Sequence, residues 1–188
     1  MSEPCPAGGV SESAVAAILR CVNFSAIKHR KQRRKDPQQT PYINHPIGVA
    51  YLLVEAGVKD VDVLQAALLH DTVEDTDTSP QELLDAFGPR VAGLVAEVTD
   101  DKSLPSKERK RLQIVHAADA SHEAKLVKLA DKLYNLRDLE RCTPVGWTDT
   151  RVKEYFKWAA QVVAGCRGTN AYLEGELDKL FMKWNKEL

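Results

Sequence analysis

The sequence contains no long apolar run and carries almost no net charge. No apolar segment approaches the roughly 20 residues that a helix needs to cross a bilayer, so we expect no membrane span. Its 26 lysines and arginines are balanced by 27 acidic residues, a net charge of -1, which argues against nucleic-acid binding through bulk positive charge. The N-terminus has no basic segment followed by an apolar one, and acidic residues precede the first arginine, Arg20. We therefore expect no signal or transit peptide and predict a cytoplasmic protein.

Cysteine is also scarce. The four cysteines, Cys5, Cys21, Cys142 and Cys166, are widely separated and form no C-x-x-C pair. A disulfide framework or a zinc ribbon needs closer, patterned spacing. The cysteines are therefore predicted to be reduced thiols.

Strand-like alternation of apolar and polar residues is essentially absent, and the recognisable segments have helical period and helical punctuation. Helix starts are predicted at Ser11 or Ser13, Pro46, Asp60, Ser79, Thr148 and Thr169. Gly57 and Gly88 mark helix ends, and residues 121–139 contain the longest apolar stripe. Loops are expected over residues 33–42, 72–78 and 100–106. We predict an all-α protein with a flexible tail over residues 1–10 and a single domain of about eight helices over residues 11–188.

The most informative segment places four chemically active side chains directly after the apolar residues 63–69. His70 and Asp71 come first, and Glu74 and Asp75 follow one helical turn later, at i+4. Clustered carboxylates repel one another unless a cation or a partner offsets their charge. An imidazole and a carboxylate on adjacent residues can bind one divalent cation if the backbone turns there. The segment is therefore a candidate metal site.

Two further candidate ligands lie far away in the sequence. His45 stands in the segment YINHP, and Asp131 lies beside an apolar stripe, where an unpaired carboxylate is costly. Two imidazoles and two carboxylates suit a first-row divalent metal and leave room for water. Water bound to such a metal is a usable nucleophile near neutral pH. The pattern favours a metal-dependent hydrolase.

Less specific interpretations of these residues exist. The acids after His70 are also typical of a solvated turn, Asp131 can pair with Lys128 or Lys132, and His45 can act as a helix cap. The remaining histidines have no carboxylates in ligand spacing and are expected to be surface or core residues: His29, His116 and His122.

Residues 28–36, KHRKQRRKD, form the only dense basic run. The run is compatible with a solvated helix end, because cations favour a helix C-terminus. It is also compatible with a localisation or nucleic-acid patch. We favour a third interpretation, in which it receives the phosphates of a small anionic substrate beside the metal. Tyr42, just beyond the run, offers an aromatic face for a base.

Three separated segments, TPYINHP (40–46), ALLHDTVEDT (67–76) and KLADKLYNLR (128–137), together resemble one family. They are similar to the HD-domain hydrolases of the RelA/SpoT alarmone enzymes, most closely to the small hydrolase-only form of animals. The resemblance covers about residues 20–180. It implies that a manganese ion is held by His45, His70, Asp71 and Asp131. It also implies that Glu74 and Asp75 are the catalytic acids, and by position it suggests nucleotide contacts from Arg34, Lys35, Tyr42, Asn135, Arg151 and Tyr155.

The activity that the resemblance implies is hydrolysis of guanosine 3′,5′-bis(diphosphate), ppGpp, at the ribose 3′ position to GDP and pyrophosphate, in a starvation response. An NADPH 2′-phosphatase that uses the same metal site is an alternative. A non-catalytic nucleotide-binding protein is an alternative of another class. Ligand counting alone leaves the metal open, because zinc and iron bind such ligands at least as well as manganese. Residues 100–102, DDK, depart from the bacterial pattern, and Ser106 stands where close relatives can carry lysine.

Overall fold

A computed structural model describes residues 12–186 of the chain. The predicted tail, residues 1–10, and the first residue of the predicted domain lie outside the described residues. Within 12–186 there are nine helices and no strand, and the one β-bridge joins Arg33 to Pro41. The helices are α1 (Ala14–His29), α2 (Asn44–Glu55), α3 (Val61–Leu69), α4 (Thr72–Asp75), α5 (Pro80–Val98), α6 (Ser106–Ala117), α7 (His122–Arg141), α8 (Asp149–Gly165) and α9 (Ala171–Lys186).

The all-α class is confirmed, and most predicted helix starts are correct because side chains accept from the free N–H groups of the first turn. Such capping oxygens come from Ser13, Asp60, Ser79 and Thr148. The expected start at Thr169 is wrong. Helix α9 begins at Ala171, and Asn170 Oδ1 accepts from Leu173 N–H at 3.0 Å. Likewise α2 begins at Asn44, two residues before Pro46.

The helix count differs from the expected eight in three places. Residues 72–75, predicted as loop, form the one-turn helix α4, in which Asp75 N–H donates to Asp71 O at 2.8 Å. Helix α6 has no predicted counterpart. The two helices predicted on either side of Gly88 are both present but abut as α5, because Gly88 leaves the helical region (φ 82°, ψ 171°) and Pro89 resumes the helix at once.

Helix α7 is the centre of the domain. It contacts α2, α3, α5, α8 and α9, and its apolar side chains Leu129, Leu133 and Leu136 are fully buried. Burial of each such leucine contributes roughly 1.5–3 kcal/mol to folding. Because α2, α3 and α7 pack on one another, polar side chains placed on their facing surfaces meet inside the domain.

Three cysteines within the described range, Cys21, Cys142 and Cys166, are free thiols, while Cys5 lies outside that range. Between residues 12 and 186, none of the helices has both the length and the apolar character that crossing a membrane requires.

Candidate metal centre and active site

Four of the predicted side chains converge from three helices. His45 lies in the first turn of α2, His70 and Asp71 follow the last residue of α3, and Asp131 is in the middle of α7. His45 Nε2 lies 3.2 Å from His70 Nε2, 3.2 Å from Asp131 Oδ1 and 3.4 Å from Asp71 Oδ2. His70 Nε2 lies 3.1 Å from Asp71 Oδ2 and 3.7 Å from Asp131 Oδ1. The structure thus brings ligand atoms of His45, His70 and Asp131 within 4.8 Å of one another, and Asp71 lies beside the two imidazoles.

The end of helix α3 positions the candidate ligands His70 and Asp71. Leu69 is the last residue of the helix, and the chain continues through His70 and Asp71 before α4 begins. His70 Nδ1 lies 2.7 Å from Ala67 O and donates its proton to that carbonyl, so Nε2 is the ring nitrogen that faces the other candidate ligands. The N-cap of α2 is Ile43, so the helix-cap interpretation of His45 is wrong. His45 instead packs its ring between those of Tyr42, Tyr134 and His70.

The donor set fits a divalent cation. Two imidazole nitrogens face each other at 3.2 Å with carboxylate oxygens beside them, and both histidines are at most 5% exposed. Without a cation, two carboxylates in so buried a place would repel each other at a high desolvation cost. Although burial opposes it, the neighbouring His70 and His45 hold the pKa of Asp71 well below its usual range. Burial also opposes ionisation of Asp131, but Lys132 and the two histidines hold its pKa well below the usual range. Both carboxylates are therefore ionised, as candidate metal ligands must be.

A second layer of side chains orients the two carboxylates. Asn135 Nδ2 donates to Asp131 Oδ1 at 2.7 Å, and Lys132 Nζ donates to Asp131 Oδ2 at 2.7 Å. Lys132 is only 5% exposed and lies over the Trp158 ring. Tyr42 Oη donates to Asp71 Oδ2 at 2.6 Å. Asp131 therefore pairs with Lys132, as one alternative held, and faces the two imidazoles at the same time.

Glu74 is held on the single turn α4 by residues from a different part of the chain. Arg109 Nη1, on α6, donates to Glu74 Oε1 at 3.0 Å, and the Asp100 N–H donates to Oε2 at 3.4 Å. Burial, followed by the charges of Asp100 and Asp71, raises the pKa of Glu74 to about 6, although Arg109 is beside it. A carboxylate of that pKa can both accept and release a proton near neutral pH.

Asp75 is the neighbouring acid on α4, and both of its oxygens are engaged. Lys102 Nζ donates to Oδ1 at 2.5 Å, and Gln32 Nε2 donates to Oδ2 at 3.0 Å. Sequence reasoning missed Gln32, Lys102 and Arg109. The sequence did carry a signal for them. Residues 102–111 contain many cationic side chains and no apolar stripe that would explain a helix there, and their charge is opposite in sign to that of the acids in residues 71–75.

A cavity of about 310 Å³ opens beside Asp75, which is part of its lining. Five of the six predicted nucleotide-contacting residues line it: Arg34, Lys35, Tyr42, Asn135 and Tyr155. The sixth, Arg151, is outside the lining and stacks over Trp147, a lining residue, with its guanidinium carbon 4.3 Å from the ring centroid. Arg34 is fixed in the wall, because its Nη2 donates to Asn135 Oδ1 and Asp138 Oδ2 at 2.9 Å each. Sequence reasoning had not singled out Trp147.

Comparison with known proteins places this site in context. The family model described as HD domain matches residues 21–154. The chain is 64% identical over 172 residues to the guanosine-3′,5′-bis(diphosphate) 3′-pyrophosphohydrolase MESH1 of Danio rerio, covering 91% of this chain and 96% of the relative. It is 65% identical over 170 residues to the protein of the same name from Homo sapiens, covering 90% and 95%. A solved structure, described as a metazoan ortholog of SpoT that hydrolyzes ppGpp and plays a role in starvation responses, superposes with a TM-score of 0.89. Its sequence identity is 57%, and the match covers 94% of this chain and 98% of that one.

Proposed function

This chain belongs to the HD domain family, and we propose that it is a metal-dependent hydrolase that cleaves ppGpp to GDP and pyrophosphate. The observation that carries the proposal is the convergence of His45, His70, Asp71 and Asp131 beside two carboxylic acids and a nucleotide-sized cavity. The similarity to relatives named for this reaction supports it. The cytoplasmic location and the starvation response are parts of the same proposal.

The proposed cofactor is Mn²⁺, held by the two Nε2 atoms and by oxygens of Asp71 and Asp131. When bound, such a cation supplies Lewis acidity, which lowers the pKa of a water molecule and offsets negative charge on phosphate oxygens. Tyr42, Lys132 and Asn135 would keep the two carboxylates oriented toward it.

Glu74 and Asp75 are the proposed catalytic acids. The new bond forms between the water oxygen and the phosphorus attached to the ribose 3′ oxygen, and the bond from that oxygen to phosphorus breaks. Glu74, with its pKa of about 6, would accept the proton from the attacking water. Asp75 would help to return a proton to the 3′ oxygen as it leaves, so that one proton passes from nucleophile to leaving group.

The cavity offers the contacts that a guanine nucleotide needs. Arg34 and Lys35 would supply positive charge for phosphates. Tyr42, Tyr155 and Trp147 supply aromatic surface for a base, and Asn135 supplies an amide. Arg151, held over Trp147, would close the rim. NADPH carries the same chemical groups, but no observation favours it over ppGpp. A non-catalytic binder would be expected to lose a ligand or an acid, and all six are present.

The test is turnover of ppGpp and of NADPH by purified protein that is first freed of metal and then supplied with Mn²⁺. We expect Asp131→Ala to lose both metal and activity. Glu74→Gln should retain metal and lose turnover by about 10²-fold or more, as for removal of a general base. Asp85→Asn on the exposed face of α5 is the matched control and should behave like the wild type.

Two results would overturn this proposal. Glu74→Gln turning over at the wild-type rate would remove Glu74 from the mechanism. Release of phosphate from NADPH without cleavage of ppGpp would replace the substrate.

A further inference from the structure

A buried histidine lies behind the catalytic acids and has no place in the proposed mechanism. His29 is the last residue of α1 and is only 2% exposed. Its Nδ1 lies 2.7 Å from Gln32 Oε1, and Gln32 Nε2 donates to Asp75 Oδ2 at 3.0 Å. A continuous chain of hydrogen bonds therefore runs from the interior of the domain to one of the two acids.

Hydrogen-bond chemistry fixes the direction of this chain. In its ionised form, paired with Lys102, the Asp75 carboxylate only accepts, so Gln32 must present its NH₂ group to it. The Gln32 carbonyl oxygen then faces His29 and can only accept, so the proton of His29 must be on Nδ1. Burial lowers the pKa of His29, which keeps the ring neutral with a single N–H.

The other ring nitrogen of His29, Nε2, makes this arrangement energetically unfavourable. His29 Nε2 is buried and has no hydrogen-bond partner among the described residues. A buried polar atom without a partner destabilises the folded state, and an apolar side chain of similar size would avoid that loss. An imidazole at this position is thus hard to explain by packing alone.

A second contact leads from the same ring to the metal centre. The His29 and Tyr42 rings pack with centroids 4.9 Å apart and planes 32° from parallel. Tyr42 Oη in turn donates to Asp71 Oδ2. The His29 ring thus packs on the tyrosine that donates to a candidate metal ligand, while its hydrogen-bond chain leads to Asp75.

We infer that His29 is a positioning residue for hydrolysis, acting through Gln32 on Asp75. The inference rests on the proposed function, in which Asp75 takes part in proton transfer. The proposed role is to hold geometry. The Nδ1–H of His29 fixes the orientation of the Gln32 amide, and that amide fixes the position of the Asp75 carboxylate. Misplacement of a reacting group by about 1 Å can cost on the order of 10²-fold in rate.

The kinetic test compares variants at one position that differ in whether they keep the donor. His29→Leu retains the volume and removes the N–H. His29→Asn retains an amide N–H close to the position of Nδ1. We expect His29→Leu to lower kcat by about 10- to 100-fold while KM and Mn²⁺ affinity stay within about twofold, since no substrate or metal contact is lost. His29→Asn should recover most of kcat.

Two further variants separate positioning from a general effect on folding. Gln32→Leu combined with His29→Leu should be no slower than Gln32→Leu alone, because both changes break the same chain. Ser25→Ala is the matched control, since Ser25 is buried one turn earlier on α1 and its Oγ has no hydrogen-bond partner among the described residues. It should leave kcat unchanged. A fully folded His29→Leu with wild-type kcat, or a double variant slower by the product of the two single effects, would overturn the inference.

Nitrogen-15 NMR of the His29 ring gives a readout independent of substrate. The inference requires the Nδ1–H tautomer in the wild type, and a proton on Nε2 instead would refute it. If the wild type cleaves neither nucleotide, the proposed function fails while the tautomer result still stands. If ppGpp is cleaved and His29→Leu is as fast as wild type, only the positioning role fails.

Discussion

Two features of the environment of Glu74 shift the pKa of its carboxyl group in opposite directions. Burial and the nearby acids Asp100 and Asp71 favour the protonated form and raise its pKa to about 6. Arg109 favours the ionised form through an ion pair of 3.0 Å, in which both side chains are largely buried. The pH range over which Glu74 loses its proton therefore depends on the Arg109 guanidinium, which lies on α6.

Replacement of Arg109 by glutamine tests that balance. Loss of the cation disfavours the carboxylate, so the pKa of Glu74 rises further, by about one unit for a close ion pair. If ionised Glu74 accepts the proton, the acid limb of the pH profile of kcat/KM moves to higher pH. Activity at pH 6 then falls more than activity at pH 8. The measurement is a pH–rate profile on ppGpp with Mn²⁺.

The matched control for this profile is Arg111→Gln. Arg111 lies two residues along α6 and, within residues 12–186, pairs with the half-exposed Glu108 at the surface. Removal of its charge should therefore leave the acid limb of the pH profile in place. An unchanged limb in Arg109→Gln, or a shift to lower pH, would show that Arg109 does not set the ionisation of Glu74.

At the scale of the helices, capping residues and apolar stripes were enough to predict most of the fold. Residues such as Ser79 and Thr148 act locally, so their effect can be read from neighbouring sequence. Helix α6 could not be found this way because Ala117 is its only buried residue. Its position depends on packing against α8, where Gly165 closely approaches Ala117. No local pattern records such a contact.

The candidate site was predictable in part for the same reason. Histidine and aspartate in an apolar setting identify ligand candidates, which is why His45, His70 and Asp131 could be singled out. That they meet depends on the packing of α2, α3 and α7. The residues that hold the acids were missed because glutamine, lysine and arginine at helix ends have ordinary local explanations. Only the folded chain brings Gln32, Lys102 and Arg109 to α4.

The crossing of α2 and α7 depends on the absence of a side chain at Gly48. A Cβ atom at this position would overlap the ring of Tyr134, the residue against which His45 packs at a centroid distance of 5.0 Å. We expect Gly48→Ala to displace Tyr134 and loosen His45. The free energy of unfolding should fall by about 1–3 kcal/mol, as for other overpacked cores. Mn²⁺ affinity should fall about tenfold, as for the loss of other residues that support ligands.

Thermal unfolding and Mn²⁺ titration of Gly48→Ala are to be compared with Gly93→Ala. Gly93 is an exposed position inside α5 where a Cβ meets no neighbouring atom, so alanine there should be neutral or stabilising by up to about 1 kcal/mol. Equal behaviour of the two variants would mean that Tyr134 yields without cost and that the close approach is unimportant.

For the whole molecule, the candidate metal site and the hydrophobic core share the same helices. The four candidate ligands lie on or directly after α2, α3 and α7, and those helices also carry many of the fully buried side chains of the core. Unfolding of the domain therefore separates the ligands, and a cation that binds them must stabilise the folded state. Stability and the proposed catalysis would then be coupled through one group of side chains.

Metal removal tests this coupling without reference to any substrate. A cation at 100 times its Kd adds about 2.7 kcal/mol to the free energy of unfolding. For a chain of 188 residues, that corresponds to roughly 5–10 °C in Tm. We expect chelation to lower Tm by about this amount and Mn²⁺ to restore it. Asp131→Ala should show no shift on Mn²⁺ addition, whereas Glu74→Gln should show the full shift, because Glu74 is not a proposed ligand. A wild-type Tm insensitive to chelation after verified metal loss would mean that the four side chains do not form a cation site.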